Sequence, residues 1–136
     1  MHEENIMRND AREAAFKIIF ADLFGNDGEK NFRAALYRQA KLSEEECSFA
    51  EPLFQTYRAH KEELSGQLAG AVTRYADYRI YPADRAALLL ALTEINYCDD
   101  IPPVVSVSEA TALARKYSTE HSADFVNGVL GGIINK

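Results

Sequence analysis

The side chains best suited to catalysis stand near the carboxyl end, where His121 and Ser122 are followed by Asp124. Histidine, serine and aspartate form hydrolytic triads, but a triad is assembled by tertiary geometry rather than by neighbours along one helical turn. The other histidines, His2 and His60, lie in distant segments and lack the spacing of metal ligands. These residues therefore predict neither a hydrolase nor a metal centre.

Redox and cofactor chemistry are also absent from the sequence. Two lone cysteines, Cys47 and Cys98, do not make a disulfide framework or a zinc site. No glycine-rich phosphate loop occurs, so no cofactor is predicted. Binding is a better functional class for this chain than catalysis.

An aromatic row is the first candidate binding surface. Phe16, Phe20 and Phe24 recur every four residues, and Ile19 and Leu23 widen the same stripe on a predicted helix. Core packing is the simpler interpretation. The alternative is that Phe20 or Phe24 reaches a partner.

Arginines and tyrosines alternate over residues 73–81, and such a stretch can stack on single-stranded nucleic acid. The alternative is a helix end and connector whose tyrosines pack by their rings and keep their hydroxyls in water. Asp77 and Asp84 dilute the positive charge, which favours the alternative.

The helix that organises the chain is predicted over Pro82–Tyr97. Pro82 suits the first turn of a helix, and Leu88, Leu92 and Ile95 fall on one face. A helix with so few charges belongs inside a protein, with other helices packed around it. It is too short and too polar to span a bilayer.

The remaining segments are also predicted to be helical. Asp10 is a candidate N-cap for the first helix and Gly25 its stop, while Ser43 and Glu46 form a capping box further on. Ser118 or Ser122 can cap the last helix. With the central helix, the predicted segments span about 10–24, 29–41, 43–50, 53–71, 82–97, 104–117 and 118 or 122 to 134.

Two further details concern the second and third helices. Phe32 and Leu36 are predicted to point inward, leaving Arg33 and Tyr37 to point elsewhere. Pro52 is predicted either to kink the third helix or to start the next.

The composition describes an ordinary globular domain of 136 residues with 47% hydrophobic and 26% charged residues. The net charge of −6 predicts weak, salt-dependent binding to bare phosphate. No apolar N-terminal segment resembles a signal peptide, so the cytoplasm is the expected location and no membrane association is expected.

Ordered motifs along the chain resemble the bacterial NusB transcription antitermination family. The most specific is the block Phe125-Val126-Asn127-Gly128-Val129-Leu130. The others are Ala11-Arg12-Glu13-Ala14-Ala15-Phe16, Asp84-Arg85 with the leucine-rich helix, Thr93-Glu94-Ile95, Ile101-Pro102, Val107-Ser108-Glu109-Ala110 and Ala114-Arg115-Lys116-Tyr117.

This resemblance implies an all-α fold, a compact bundle of about seven helices in two small subdomains, without enzyme activity. One domain would span residues 1–136, divided at about residue 76. The resemblance also implies a pairing with the small-subunit ribosomal protein NusE. The pair would hold a single-stranded boxA RNA of ribosomal operons within the RNA polymerase antitermination complex. Some relatives form homodimers, for which the phenylalanine row is a candidate surface.

The resemblance also implies roles for particular residues. The implied RNA-binding residues are Arg8, Arg12, His121, Ser122 and Phe125, and the implied partner-binding residues are Phe20, Phe24 and Asp84.

The sequence departs from the family pattern in its arginines. Relatives often have an arginine-rich N-terminus, where this chain keeps Arg8 and Arg12, and Leu89 replaces an arginine common in the central helix. Both changes remove phosphate contacts. They leave an alternative open, a protein-interaction module of the same fold with little RNA binding of its own.

Overall fold

A computed structural model describes the backbone of residues 2–26, 29–75 and 80–135, with side chains from Arg8 onward except at position 74. These ranges contain seven α-helices and one 3₁₀ turn, and no strand. The helices are α1 His2–Leu23, α2 Lys30–Gln39, α3 Glu44–Ala59, α4 Lys61–Ala71, α5 Pro82–Tyr97, α6 Pro103–Tyr117 and α7 Glu120–Ile134, with the 3₁₀ turn at Thr73–Tyr75. The predicted all-α fold is confirmed.

Helix α5 forms the centre of the core, with the bounds that the sequence predicts. Pro82 occupies its first turn, and Leu88 and Leu92 have no exposed surface. The helix packs against α1, α3, α4, α6 and α7. Because neighbours surround it, its charged residues have to find partners inside the protein.

Helix α1 packs on both α3 and α5, and α6 and α7 pack on each other and on α5. The division into two subdomains near residue 76 stays a prediction. None of the described helices is long and apolar enough to cross a membrane.

The predicted start of α1 at Asp10 is wrong, because the helix begins at His2. No proline or glycine interrupts residues 2–9, and Asp10 lies exposed within the helix. The predicted stop at Gly25 is confirmed. Gly25 has φ +90°, and Asn26 N–H donates to the Ala21 carbonyl at 3.2 Å, which is the closing bond of a Schellman motif.

Helix α3 begins where the sequence predicts but extends further. Ser43 Oγ accepts from the Glu46 N–H at 3.1 Å, and the Glu46 carboxylate accepts from the Ser43 N–H at 2.8 Å. This confirms the capping box. The helix then continues through Pro52, which lies on its exposed side, and ends at Ala59. The predicted boundary near Ala50 is therefore wrong. One missing N–H bond at the surface does not end a helix whose opposite side is buried.

Helix α2 is attached by polar contacts, contrary to the prediction that Arg33 and Tyr37 point away from the interior. Both are buried, whereas Phe32 and Leu36 are half-buried. Arg33 pairs with Glu51 of α3 through two nitrogens, at 3.0 and 2.8 Å, and the Tyr37 hydroxyl donates to Glu51 at 2.8 Å. The aliphatic stem of Arg33 and the ring of Tyr37 supply packing surface that their polar ends conceal in a sequence pattern.

These contacts predict a specific loss of stability in acid. Hydrogen bonding by Arg33 lowers the pKa of Glu51 from its ordinary 4.5 to about 2, although burial acts in the opposite direction. The folded state therefore holds the charged carboxylate more strongly than the unfolded state, and this stabilisation is lost as the pH falls from about 4.5 towards 2.

We expect Glu51→Gln to lower stability at neutral pH and to show a shallower decline than the wild type across that acid window. Urea unfolding at a series of pH values measures both effects. Glu62→Gln, at an exposed position of α4, is the matched control and should keep the wild-type pH dependence. Parallel pH profiles for wild type and Glu51→Gln would contradict the prediction.

Candidate nucleic-acid and partner interface

Arg12 lies inside the protein, in an ion pair between α1 and α5. Its Nε donates to both carboxylate oxygens of Glu94 at 3.0 Å, and each side chain is 1% exposed. Ser106 of α6 donates a further hydrogen bond to Glu94 at 2.9 Å. Burial raises the pKa of Glu94, while Arg12 and Ser106 favour its charged form and oppose the rise. In this conformation the guanidinium of Arg12 is not available to a phosphate.

Arg8, one helical turn earlier, lies at the surface. Its side chain is 21% exposed, and its Nη2 lies 3.1 Å from Oδ2 of Asp100 in the loop between α5 and α6. The ring of Phe49 in α3 lies beneath both arginines, 4.7 Å from Cζ of Arg8 and 5.4 Å from Cζ of Arg12. The two arginines, four residues apart, therefore share one helix face, but aromatic and acidic neighbours already contact both.

A cluster of hydroxyl groups joins the start of α7 to the start of α5. Ser122 is fully buried and donates to Asp84 at 2.8 Å, and its hydroxyl also lies 2.9 Å from those of Ser118 and Thr119. Thr119 is the N-cap, because its hydroxyl accepts from the Ser122 N–H, so the prediction of Ser118 or Ser122 is wrong. Asp84 and Ser122, predicted for different binding surfaces, are direct partners below the surface.

The other residues of this α7 edge differ in exposure. His121 is exposed, whereas Phe125 is 6% exposed and packs edge-on against Tyr75 at 5.3 Å. The Tyr75 hydroxyl also lies 3.2 Å from where a Cβ on Gly128 would stand, so a side chain there would require this hydroxyl to shift slightly. Tyr75 thus supports the packing interpretation of the arginine–tyrosine stretch, and Tyr78 and Arg79 lie outside the described residues.

The phenylalanine row of α1 passes from the core to the surface. Phe16 is buried, Phe20 is half-buried and Phe24 is 66% exposed, with ring centroids 6.4 and 5.1 Å apart along the row. Phe16 also packs against Tyr117 of α6 at 5.1 Å. An open cavity of about 220 Å³ beside the row is lined by Phe16, Lys17, Phe20, Ala83 and Tyr117. Core packing therefore applies to Phe16, and contact of Phe20 or Phe24 with a partner stays a prediction.

Sequence reasoning missed several residues of these surfaces. Glu94 carried a usable signal, since the other two charges of this buried helix, Asp84 and Arg85, lie near its start, and Glu94 stands alone among apolar residues and needed an internal cation. No sequence signal marked Phe49, Asp100 or Tyr117. These residues come close to α1 only because α3, the α5–α6 loop and α6, which carry them in that order, pack near it.

The arrangement offers features suited to binding. It offers an aromatic cavity beside an exposed phenylalanine, and an arginine face bordered by acidic groups. The described residues include no group of three or more metal-ligating side chains. The fold and these surfaces define an all-helical binding domain.

The particular family follows from its sequence. Residues 9–135 match the model of the NusB family, and the chain belongs to that family. It is 36% identical to the transcription antitermination protein NusB of Symbiobacterium thermophilum, over 93% of this chain and 88% of that protein. It is 35% identical to the NusB of Bacillus velezensis, over 93% of this chain and 91% of that one.

Solved structures agree with this assignment. A crystal structure of antitermination factors NusB and NusE in complex with double-stranded RNA is 25% identical, with a TM-score of 0.82, over 93% of this chain and 95% of that chain. A T. maritima NusB structure is 25% identical, with a TM-score of 0.81, over 95% of this chain and 91% of that chain.

The burial of Arg12 predicts a structural cost for its removal. Arg12→Ala should destabilise the fold by about 3–5 kcal/mol, because it leaves the Glu94 carboxylate buried without its ion-pair partner. Arg8→Ala removes the surface pair with Asp100 and the contact with Phe49, each worth about 1 kcal/mol or less, and should cost less than Arg12→Ala. Urea unfolding at neutral pH compares the two. Equal stability of the variants would show that Arg12 is not buried in solution.

Proposed function

We propose that this chain is a transcription antitermination factor that pairs with the small-subunit ribosomal protein NusE. The pair would hold a single-stranded boxA RNA of nascent ribosomal transcripts within the RNA polymerase antitermination complex. The observation that carries the proposal is the NusB family match over residues 9–135. The proposed role is one of binding rather than catalysis. A protein that binds nascent bacterial transcripts would act in the cytoplasm.

The partner surface of the proposal is the exposed end of the phenylalanine row. Phe24 projects its ring into solvent, and Phe20 borders the apolar cavity beside it. Large aromatic side chains beside a pocket are typical anchors of protein interfaces. Asp84 is fully buried beneath this region, so it contributes by fixing the start of α5 to Ser122.

The RNA surface of the proposal runs from Arg8 to His121, whose side chains reach the solvent. Arg12, Ser122 and Phe125 are buried and would position this surface from below. With the arginines paired to carboxylates and a net charge of −6, the free chain should attract RNA weakly. The affinity of the complex then depends on NusE supplying further contacts.

The same pairing of the arginines favours a second candidate function. A protein-interaction module of the NusB fold would keep the phenylalanine surface and contribute little RNA binding of its own. Only a comparison of RNA binding with and without the partner separates the two functions.

The proposal predicts cooperative RNA binding. Labelled boxA RNA, single-stranded or annealed, is titrated with this chain, with NusE and with both, at several salt concentrations. We expect the mixture to bind the single strand more tightly than either protein alone, with affinity falling as salt rises. If the chain adds nothing to NusE, the protein-interaction module replaces the first proposal.

The partner surface predicts a separate effect of Phe24. Phe24→Ala should weaken NusE binding by about 1–2 kcal/mol, or about five- to thirtyfold, because an exposed aromatic anchor is lost. The stability of the fold should change by less than about 0.5 kcal/mol. Val104→Ala is the matched control, since Val104 is 65% exposed on α6. Calorimetric titration measures the affinities, and unchanged binding by Phe24→Ala would move the interface elsewhere.

A further inference from the structure

The cavity beside the phenylalanine row lies between α1, the start of α5 and the end of α6. Phe16 and Phe20 of α1, Ala83 of α5 and Tyr117 of α6 line it, together with Lys17. Its volume is about 220 Å³. An engineered apolar cavity of about 150 Å³ already admits benzene, so one branched or aromatic side chain of a partner fits here.

Two lysines approach the ring of Tyr117, and they differ in their charge partners. Nζ of Lys116 lies 5.3 Å from the ring centroid and donates to Glu13 at 2.7 Å, and this hydrogen bond raises the pKa of Lys116. Nζ of Lys17 lies 6.0 Å from the same centroid. Lys17 is exposed and forms no ion pair with a carboxylate of the described residues. Its positive charge is therefore not compensated within the part of the chain that the structure describes.

A cation beside an apolar cavity favours a particular kind of partner. The cavity removes apolar surface of the partner from water, and Lys17 attracts a negative charge placed next to that surface. A partner with a cation at the same place is disfavoured by repulsion. The complementary occupant is therefore a protein segment that carries an apolar side chain with a carboxylate close to it.

We propose that NusE inserts one apolar side chain into this cavity and pairs a neighbouring carboxylate with Lys17. The inference rests on the proposed pairing with NusE and assigns to Lys17 a role in selecting that partner. Lys17 then acts at the rim of the interface, where a charge discriminates between partners and fixes their orientation.

The cavity is continuous with the exposed part of the phenylalanine row. Phe20 lines the cavity, and its ring centroid lies 5.1 Å from that of Phe24, which is 66% exposed. A partner segment that covers Phe24 is therefore adjacent to the cavity. RNA is a less suitable occupant, because a phosphate backbone is bound by several cations and the lining of this cavity includes one, Lys17.

Removal of the Lys17 charge should weaken NusE binding in a salt-dependent way. Lys17→Gln is expected to bind NusE about two- to fivefold more weakly than wild type at low salt, because one charge pair at the rim is lost. Lys17→Glu should weaken binding further, since repulsion replaces attraction. At about 1 M salt the affinities should converge, because exposed charges are then screened. Calorimetric titration of the full chain with NusE measures these affinities.

Lys30→Gln is the matched control. Lys30 is exposed at the first position of α2, outside the cavity lining, and its substitution changes the net charge by the same amount. It should keep the wild-type affinity. Each exposed Asp or Glu of NusE is then replaced singly by its amide. We expect one of these NusE substitutions to weaken binding to the wild type but not to Lys17→Gln, as coupled partners do in a double-mutant cycle.

Filling the cavity tests the apolar half of the inference separately. Ala83→Leu should weaken NusE binding by about tenfold or more, because the larger side chain occupies the space that the anchor of the partner needs. Circular dichroism and urea unfolding establish whether this variant is folded. Lys17→Gln, at an exposed position, tests the charge whether or not Ala83→Leu folds.

The outcomes separate the inference from the function on which it rests. Equal NusE affinities of Lys17→Gln and Lys30→Gln, or wild-type affinity of a folded Ala83→Leu, would overturn the inference and leave the pairing with NusE in place. If Lys17→Gln lowers RNA affinity in the absence of NusE and leaves NusE affinity unchanged, Lys17 belongs to the RNA surface and the inference is also overturned. If the wild type does not bind NusE, the inference and the proposed function both fail.

Discussion

A charge in the middle of a buried helix is the constraint on which much of this structure depends. Glu94 is enclosed by α1 and α6, where an unpaired carboxylate would be strongly unfavourable. Arg12 compensates the charge, and Ser106 bonds one of the same oxygens. The Arg12–Glu94 ion pair joins α1 to α5, and the Ser106 hydrogen bond joins α6 to the same carboxylate. Helix α1 is thus held to α5 by an ion pair in addition to its packing.

This constraint affects the electrostatics of the surface. An arginine that satisfies an internal carboxylate gives no charge to an external phosphate, and the neighbouring Arg8 is paired with Asp100. A chain of net charge −6 therefore presents less cationic surface on this face than its arginines imply. The proposed dependence on a partner for RNA affinity would follow from that arrangement.

A second internal contact links the two proposed binding surfaces. The Ser122–Asp84 hydrogen bond ties the start of α7, beside His121, to the start of α5, beside the cavity below Phe20. Both residues are fully buried, so neither surface can shift at this point without disturbing the other. If the two proposed surfaces bind as proposed, this buried hydrogen bond gives them a shared support.

The sequence by itself determined the all-helical class, several helix boundaries and the centre of the core. The span of α5, the glycine stop of α1 and the capping box of α3 follow from local rules, since periodicity, caps and backbone freedom act within a few residues. The motifs also sufficed for the family. Tertiary structure alone decided which polar side chains are buried, because Arg12, Arg33 and Ser122 acquire partners 82, 18 and 38 residues away. A hydrogen-bond partner that distant leaves no periodic signal, so the exposed part of the site could be read only from the folded chain.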